Sequence, residues 1–389
     1  MKYLVLIGDG MADYPLKQLR GKTPLAAART PNMDFLARNG LCGRVRNIPA
    51  GMEPGSDVAA VSIFGYEPQK YYTGRGPLEA ASLGVKLGKN EVAFRCNLVT
   101  IKNKKMESFT AHHIGSAEAK KIMLYLNRKI GGKGIKFYPG LSYRHLLVIQ
   151  SPVTSLLSSV KTTPPHDITG KNIHNYLPQS ELLIKLMNES EVLLHEMKTK
   201  ASMIWPWGQG RAPRMPYFRQ RYGKKAAVIT AVHLLKGLGK VLGMEVINVP
   251  GATGYLDTNY KGKAEYALKA LQRNDVVFVH VEAPDEAGHE GSVSKKIRAI
   301  EDFDRLVVGT ILKEIRNSKV EIRVLVLPDH PTPIKLMTHT SDPVPFAIYP
   351  SPVASHQSLV EGFNEKEIGK SKIRLQKGSE LIRLLIKRG

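Results

Sequence analysis

Cysteine is nearly absent: the 389 residues contain two, Cys42 and Cys96. Two thiols cannot build a disulfide framework, nor a thiolate metal site by themselves. Long apolar runs are also missing, which excludes a membrane span. MKYLVLIGDGMADYP lacks the charged, apolar, small-residue order of a secretion signal and reads as a first strand and its turn. The resulting expectations are a reducing, cytoplasmic setting and no membrane partner. No internal repeat and no low-complexity segment interrupts the chain, so repeat architectures and disordered tails are set aside.

Acids are scarce. Lys+Arg number 57 against 34 Asp+Glu, a formal charge of +23. Such an excess suits nucleic-acid binding, attraction of a small anionic substrate, or simply a solvated basic surface. The basic residues are spread out, with only short clusters such as KNKK (102–105) and KSKIRLQK (370–377), and no basic motif is interleaved with aromatics. Nucleic acid is therefore not an expected partner. Hydrophobic content of 42% and charged content of 23% are ordinary for a soluble globular chain. The length exceeds what one core usually serves and predicts two domains. Oligomeric state is left open, a homo-oligomer included.

What is present is a repeated order of apolar strand, polar turn and amphipathic helix. KYLVLIGDG begins it. KAAVITA leads into HLLKGLGKVLG, and MEVINVPG into TNYKGKAEYALKALQR. DVVFVHVEAPD leads into SKKIRAIEDFDRLVVGTILKEIRN. VEIRVLVLPDH and VPFAIYP supply two later strands. These strands are continuous apolar runs, the mark of strands buried on both faces in a mostly parallel α/β sheet flanked by helices. The middle of the chain reads as α+β: a helix in SAEAKKIMLYLNRKI, paired strands in GIKFYPG and SYRHLLVIQ, a loop in TTPPHDITGKN and a helix in QSELLIKLMNESEVLLHEMK. Gly/Pro-rich YYTGRGPLEAAS and WPWGQGRAPRMP bracket it. The expected organisation is a discontinuous α/β domain, 1–74 and 215–389, with a smaller domain inserted at 75–214.

Three acids stand at predicted strand ends: Asp9 after YLVLIG, Asp285 after VVFVHV, and Asp329, with His330 beside it, after IRVLVLP. In an open parallel sheet all such ends share one rim, where ligands bind. His289 follows Asp285 by four residues, one helical turn. His339 lies in MTHTSDPVPF, just before a strand. Carboxylates and imidazoles without thiols suit Mn²⁺, Mg²⁺, Zn²⁺ or Co²⁺, and these residues suffice for two ions about 3.5–4 Å apart. Singly, an Asp-x-x-x-His pair also makes an ordinary hydrogen-bonded turn. Ser56, in EPGSDVAAVSIFGYEP, invites two readings that can hold together. It is a favoured helix N-cap, and it is a hydroxyl at a helix N-terminus, where phosphate is stabilised. Ser62, deeper in the same helix, is the weaker candidate nucleophile.

GDGMAD, PGSDVAAVSIFGYEP, YYTGRGPLEAAS, FRCNLVT, TPPHDITGK, MIWPWGQG, VPGATGYLDTNYKGKAEYAL, VHVEAPDEAGHEG, AIEDFD and LPDHPTPIKLMTHTSDPVPF stand in an order that resembles the archaeal-type, cofactor-independent phosphoglycerate mutases of the alkaline phosphatase superfamily. The resemblance spans nearly the whole chain. It implies interconversion of 2-phosphoglycerate and 3-phosphoglycerate through a phosphoserine, with two divalent ions and no requirement for 2,3-bisphosphoglycerate. Ser56 would take the phosphoryl group. Asp9, Ser56, Asp329 and His330 would hold one ion, and Asp285, His289 and His339 the other. Glu282 and Glu286 receive no ligand role and would orient the ligands or support the turn. The inserted domain would close over the rim and hold the glycerate; candidates for the clamp are Arg95, Arg144, Arg211, Arg214 and, outside that domain, Lys225, with His113 assisting, although the family pattern has glycine where this chain has His112. His166 is read as a loop-ordering residue. A related phosphatase or a kinase acting on a small alcohol such as homoserine would keep the same metal residues. A basic nucleic-acid-binding protein is the rival from another class.

Overall fold

The computed structural model describes residues 1–318, 320–353 and 359–387. Its strands, in chain order, are β1 (Lys2–Gly8), β2 (Leu41–Val45), β3 (Glu91–Lys102), β4 (Lys105–Ser108), β5 (Ile135–Leu141), β6 (Arg144–Gln150), β7 (Met203–Gly210), β8 (Ala226–Ile229), β9 (Glu245–Ile247), β10 (Val276–Val281), β11 (Ile322–Leu327), β12 (Val344–Tyr349) and β13 (Arg374–Leu375). The chain divides into two compact units, Met1–Tyr72 with Met215–Gly389, and Thr73–Arg214. No helix among the described residues is long and apolar enough to cross a membrane.

The first unit is built on an eight-stranded sheet in the order β13-β2-β12-β11-β1-β10-β8-β9. Every neighbouring pair is parallel except those made by β12, which runs against both β11 and β2. β1 lies between β10 and β11, and its residues from Tyr3 onward are buried. That placement explains the unbroken apolar run, since both faces of a central parallel strand are covered. The period-two alternation of β10 shows the two layers. Val277, Val279 and Val281 join the core formed with Ala264, Ala267, Ala299, Phe303 and Val307 of the helical segments 260–271 and 293–317. Phe278 points the other way and meets Phe64 and Phe218, with ring centroids 4.4 and 5.9 Å apart. Each such fully buried side chain contributes about 1.5–3 kcal/mol. The fold is thus α/β, a mostly parallel sheet flanked by helices.

The second unit holds an antiparallel sheet in which β3 pairs with β4, β6 and β7, and β6 with β5. Its core collects Phe94, Leu98, Leu126, Leu186 and both tryptophans, drawing on helices Ser116–Lys129 and Glu181–Met197. The segment WPWGQG does not behave as a loop: it forms most of β7, with Trp205 and Trp207 buried. Its Pro206 is tolerated because β7 is an edge strand, where a missing N–H costs no ladder bond on the open side.

His145 of β6 is a buried imidazole in this second unit, 1% exposed. Its Nδ1 accepts a hydrogen bond from the Gly140 amide at 3.0 Å, and its Nε2 is buried without a partner among the described residues. Burial pushes its pKa down to about 3 from the ordinary 6.5. The stabilisation is therefore complete above about pH 6.5 and is lost as pH falls toward 3, with a slope of up to about 1.4 kcal/mol per unit. Urea titrations followed by tryptophan fluorescence, which reports this unit alone, should show that acid loss. His145→Gln should flatten it; an unchanged slope would contradict the assignment.

Candidate functional site

Parallel strands bring their carboxyl ends to one rim. Asp9 follows β1 directly, Asp329 comes two residues after β11, and Asp285 sits in the helix Ala283–His289 that follows β10. β2 runs in the same direction and leads to Ser56. β12 runs the other way, so the segment before it, carrying His339, reaches the same rim. Gly10 makes the turn possible. Its φ is +61°, and a Cβ there would meet Asp285 and Thr332 within 2.7 Å. Its amide donates to Asp329 Oδ1 at 3.0 Å, as does the His330 amide at 2.7 Å.

Ser56 begins the helix Ser56–Ile63, whose N-cap is Gly55, with no side chain capping the first turn. The hydroxyl is thus not consumed as a cap. Its Oγ lies 3.1 Å from His330 Nε2 and 3.4 Å from Asp9 Oδ2. Ser62, by contrast, is buried within that helix. His330 Nε2 stands 3.2 Å from Asp329 Oδ2 and 3.5 Å from Asp9 Oδ1. A second group adjoins: His289 Nε2 is 3.2 Å from Asp285 Oδ2, and His339 Nε2 is 3.4 Å from Asp285 Oδ1. The His330 and His339 rings, 4.3 Å between centroids, connect the two groups. Thr332 Oγ1 donates a short hydrogen bond to Asp285 Oδ1.

The donor set fits divalent cations. The Nε2 atoms of His289 and His339 face each other at 2.9 Å, while His289 Nδ1 lies 2.9 Å from the Met337 carbonyl oxygen. A carbonyl only accepts, so Nδ1 donates there and Nε2 keeps a lone pair for an ion in the neutral ring. Asp329 Oδ2 is buried without a hydrogen-bond partner among the described residues. Burial pushes the Asp9 carboxyl well above the usual carboxylate range, and Asp329 and Asp285 add to the push. Against its own burial, Asp285 is held well below that range by His289 and His339. His289, despite partial burial, is raised to about 9 by Asp285. Burial lowers His330.

Among the described residues, two clusters have donor atoms all within 4.8 Å of one another: Asp285, His330 and His339, and Asp9, His280 and Asp329. His280 is a residue that sequence reasoning missed. It hides inside the apolar run VVFVHV, and nothing but its chemistry distinguishes it there. Asp9 and Glu282 raise its pKa to about 10 against complete burial. Glu282, also buried, is held below the usual range by Lys263 and His280.

Lys225 does not belong with these residues. It immediately precedes β8, and its backbone bonds to Asp275, just before β10. Because β8 and β10 are parallel, Lys225 occupies the amino-terminal rim, opposite the acids. The remaining candidates lie in the second unit. Arg95 is buried, with Nε 3.3 Å from Glu79 Oε1 and its guanidinium 4.9 Å from the Trp207 ring centre. Arg75, which sequence reasoning passed over in TGRGP, approaches the same indole at 5.5 Å. Arg144 is exposed over Tyr143 at 5.2 Å, and Arg211 and Arg214 are exposed. His112 and His113 follow Ala111 in a run of three left-handed residues, φ +46°, +53° and +54°. Each costs about 1–2 kcal/mol for an L-residue, and Ser108 Oγ and Thr110 Oγ1 secure the turn by accepting from the His112 and His113 amides. His166 stacks edge-on against Phe109 and Trp207, 6.0 and 5.4 Å between centroids.

A serine hydroxyl among acids and imidazoles, at the carboxyl rim of a mostly parallel α/β sheet, defines a protein equipped for phosphate chemistry. Comparison narrows the class. The family model for 2,3-bisphosphoglycerate-independent phosphoglycerate mutase matches residues 37–199. A protein of that name from Methanosarcina barkeri is 51% identical over the full length of both chains. Among solved structures, a protein from Pyrococcus horikoshii superposes with a TM-score of 0.82 at 29% identity, covering 99% of this chain and 96% of that one. The cofactor-independent phosphoglycerate mutase of Thermoplasma acidophilum gives 0.66 at 25% identity, covering 99% of each. The chain belongs to the 2,3-bisphosphoglycerate-independent phosphoglycerate mutases.

The crowding of Asp9, Asp285 and Asp329 predicts a trade of stability for binding. In EDTA-treated protein, Asp329→Asn should raise the melting temperature. Mn²⁺ should stabilise the unmodified protein, by about 2.7 kcal/mol at a hundredfold excess over Kd, and the variant much less. Calorimetry with and without Mn²⁺ checks both; equal Mn²⁺ stabilisation of the two proteins would contradict the cluster's role.

Proposed function

We propose that the chain interconverts 2-phosphoglycerate and 3-phosphoglycerate, a step of glycolysis and gluconeogenesis, without 2,3-bisphosphoglycerate. The observation that carries this reading is the uncapped Ser56 hydroxyl, 3.1 Å from His330 Nε2 at the first position of its helix. An amide-lined helix start favours the phosphate that Ser56 would receive. The Ser56 Oγ–P bond forms as the ester P–O bond breaks, and the glycerate oxygen leaves carrying a proton. Return of the phosphoryl group to the neighbouring glycerate oxygen restores the serine hydroxyl. Between the two transfers water has to be kept out, or the phosphoserine hydrolyses.

Asp9, Ser56, Asp329 and His330 would hold one divalent ion, and Asp285, His289 and His339 a second. Mn²⁺, Mg²⁺, Co²⁺ and Zn²⁺ all suit oxygen and imidazole donors. Such ions, when bound, supply Lewis-acid charge to phosphate oxygens and lower the pKa of a coordinated hydroxyl. Residues 75–214 are assigned the task of holding the glycerate carboxylate. Arg95, Arg144, Arg211 and Arg214 are its candidate forks, because guanidinium binds carboxylate bidentately. The strained turn at 111–113 favours His113 as a glycerate contact, since strain of this kind collects where function requires it. The +23 charge suits a small, multiply anionic substrate. A cytoplasmic location follows from this metabolic role.

The test is a coupled assay of 3-phosphoglycerate conversion after EDTA treatment, with each metal restored in turn and no 2,3-bisphosphoglycerate present. Metal-restored isomerisation is expected; phosphate release without isomerisation would make the protein a phosphatase. Ser56→Ala should lower kcat by about four orders of magnitude or more, the scale of losing a nucleophile. Turnover like the unmodified protein's would remove Ser56 from that role. Arg95→Lys keeps the charge but loses the fork, so it should raise KM more than it lowers kcat. An unchanged KM would exclude Arg95 from substrate binding.

A further inference from the structure

We infer that His280, anchored by Glu282 and Lys263, is a positioning residue that fixes the Asp9 carboxylate for the ion held at that end of the site. The inference rests on the metal-binding reading above and extends it to residues that the reading leaves out.

His280 is 1% exposed on β10, in register with Ile7 of β1. An imidazole in that position has no water to satisfy it, so its surroundings have to. Its Nδ1 lies 3.2 Å from Glu282 Oε1, and its Nε2 lies 3.3 Å from Asp9 Oδ2. Each ring nitrogen therefore faces a carboxylate oxygen, Glu282 on one side and Asp9 on the other.

Glu282 cannot move to meet it. Glu282 Oε1 accepts from Thr230 Oγ1 at 2.9 Å, from the Ala231 amide at 2.9 Å and from the Val232 amide at 3.3 Å. Its Oε2 accepts from Lys263 Nζ at 2.7 Å, and that ammonium also donates to the His280 carbonyl at 2.9 Å. Lys263 is completely buried in the helix Tyr260–Leu271. A buried lysine and a buried glutamate in mutual contact are costly to desolvate, and hydrophobic residues of similar size would pack there more cheaply. What the pair supplies is a fixed post. From it His280 reaches one oxygen of Asp9.

Asp9 is thereby divided. Its Oδ2 lies 3.3 Å from His280 Nε2 and its Oδ1 3.5 Å from His330 Nε2, while Ser56 Oγ lies between the two oxygens, 3.5 Å from Oδ1 and 3.4 Å from Oδ2. Asp9 also sits among like-charged Asp329 and Asp285, which would drive a free carboxylate to rotate away or take up a proton. The post behind it opposes both. This is the logic of partners that orient metal ligands without touching the metal, whose loss typically weakens metal binding about 10–100-fold.

The experiment uses the full-length protein with Mn²⁺ as probe. Equilibrium dialysis gives the number and affinity of bound ions, and pulsed EPR counts the imidazole nitrogens coupled to Mn²⁺. In His280→Asn, both ions should still bind, one of them about 10–100-fold more weakly, with the nitrogen count unchanged. Glu282→Gln should shift the same ion in the same direction, and it carries the test if His280→Asn does not fold. A nitrogen count lower by one in His280→Asn would overturn the inference by making His280 a direct ligand. Unchanged affinity in both variants, with only a lowered melting temperature, would reduce the network to a structural role. Failure of the unmodified protein to take up Mn²⁺ would instead remove the metal reading itself, and the inference with it.

Discussion

Three carboxylates crowd one desolvated rim, and most of the first unit's architecture exists to hold them there. Asp9, Asp285 and Asp329 come from three parallel strands whose carboxyl ends coincide, and each is buried. Left alone, such charges would repel one another and take up protons; burial and its acidic neighbours push Asp9 in that direction. The fold answers with fixed donors and cations. Gly10 and His330 amides hold one oxygen of Asp329, His289 and His339 flank Asp285, and His280 backs Asp9. Asp329 Oδ2 is left without a hydrogen-bond partner among the described residues.

Rigidity of the sheet makes the arrangement affordable. β1 and β10 are buried along nearly their whole length, and a central parallel strand cannot shift register without moving every neighbour. Asp9 and His280 therefore keep their spacing. The helix carrying Ser56 packs against this sheet through Phe64, whose ring meets Phe278 two residues before His280. Packing far from the chemistry thus fixes the hydroxyl as well as the acids.

Much of this was legible in the sequence because burial on both faces leaves unbroken apolar runs, and acids that end such runs stand out. Asp9, Asp285 and Asp329 were visible for that reason. His280 was not, because an imidazole inside VVFVHV breaks no pattern and its partners Asp9 and Lys263 are distant in sequence. Lys225 was placed in the clamp by partial likeness to the mutase pattern, but it precedes β8, and in a parallel sheet a strand's start lies at the rim away from its end. β3 and β7 were missed because FRCNLVT mixes polar residues into a strand and WPWGQG wears the composition of a loop. For Ser56 the helix start was clear, but its cap was not. Gly55 takes the N-cap position, which left the hydroxyl uncommitted.

The acid and imidazole groups are proposed as paired binding sites for cations. The most direct measurement is anomalous diffraction from crystals grown with Mn²⁺. Two peaks are predicted, one bounded by Asp9, Ser56, Asp329 and His330, the other by Asp285, His289 and His339. No peak at the rim, with these side chains hydrogen-bonded only to one another, would contradict that assignment.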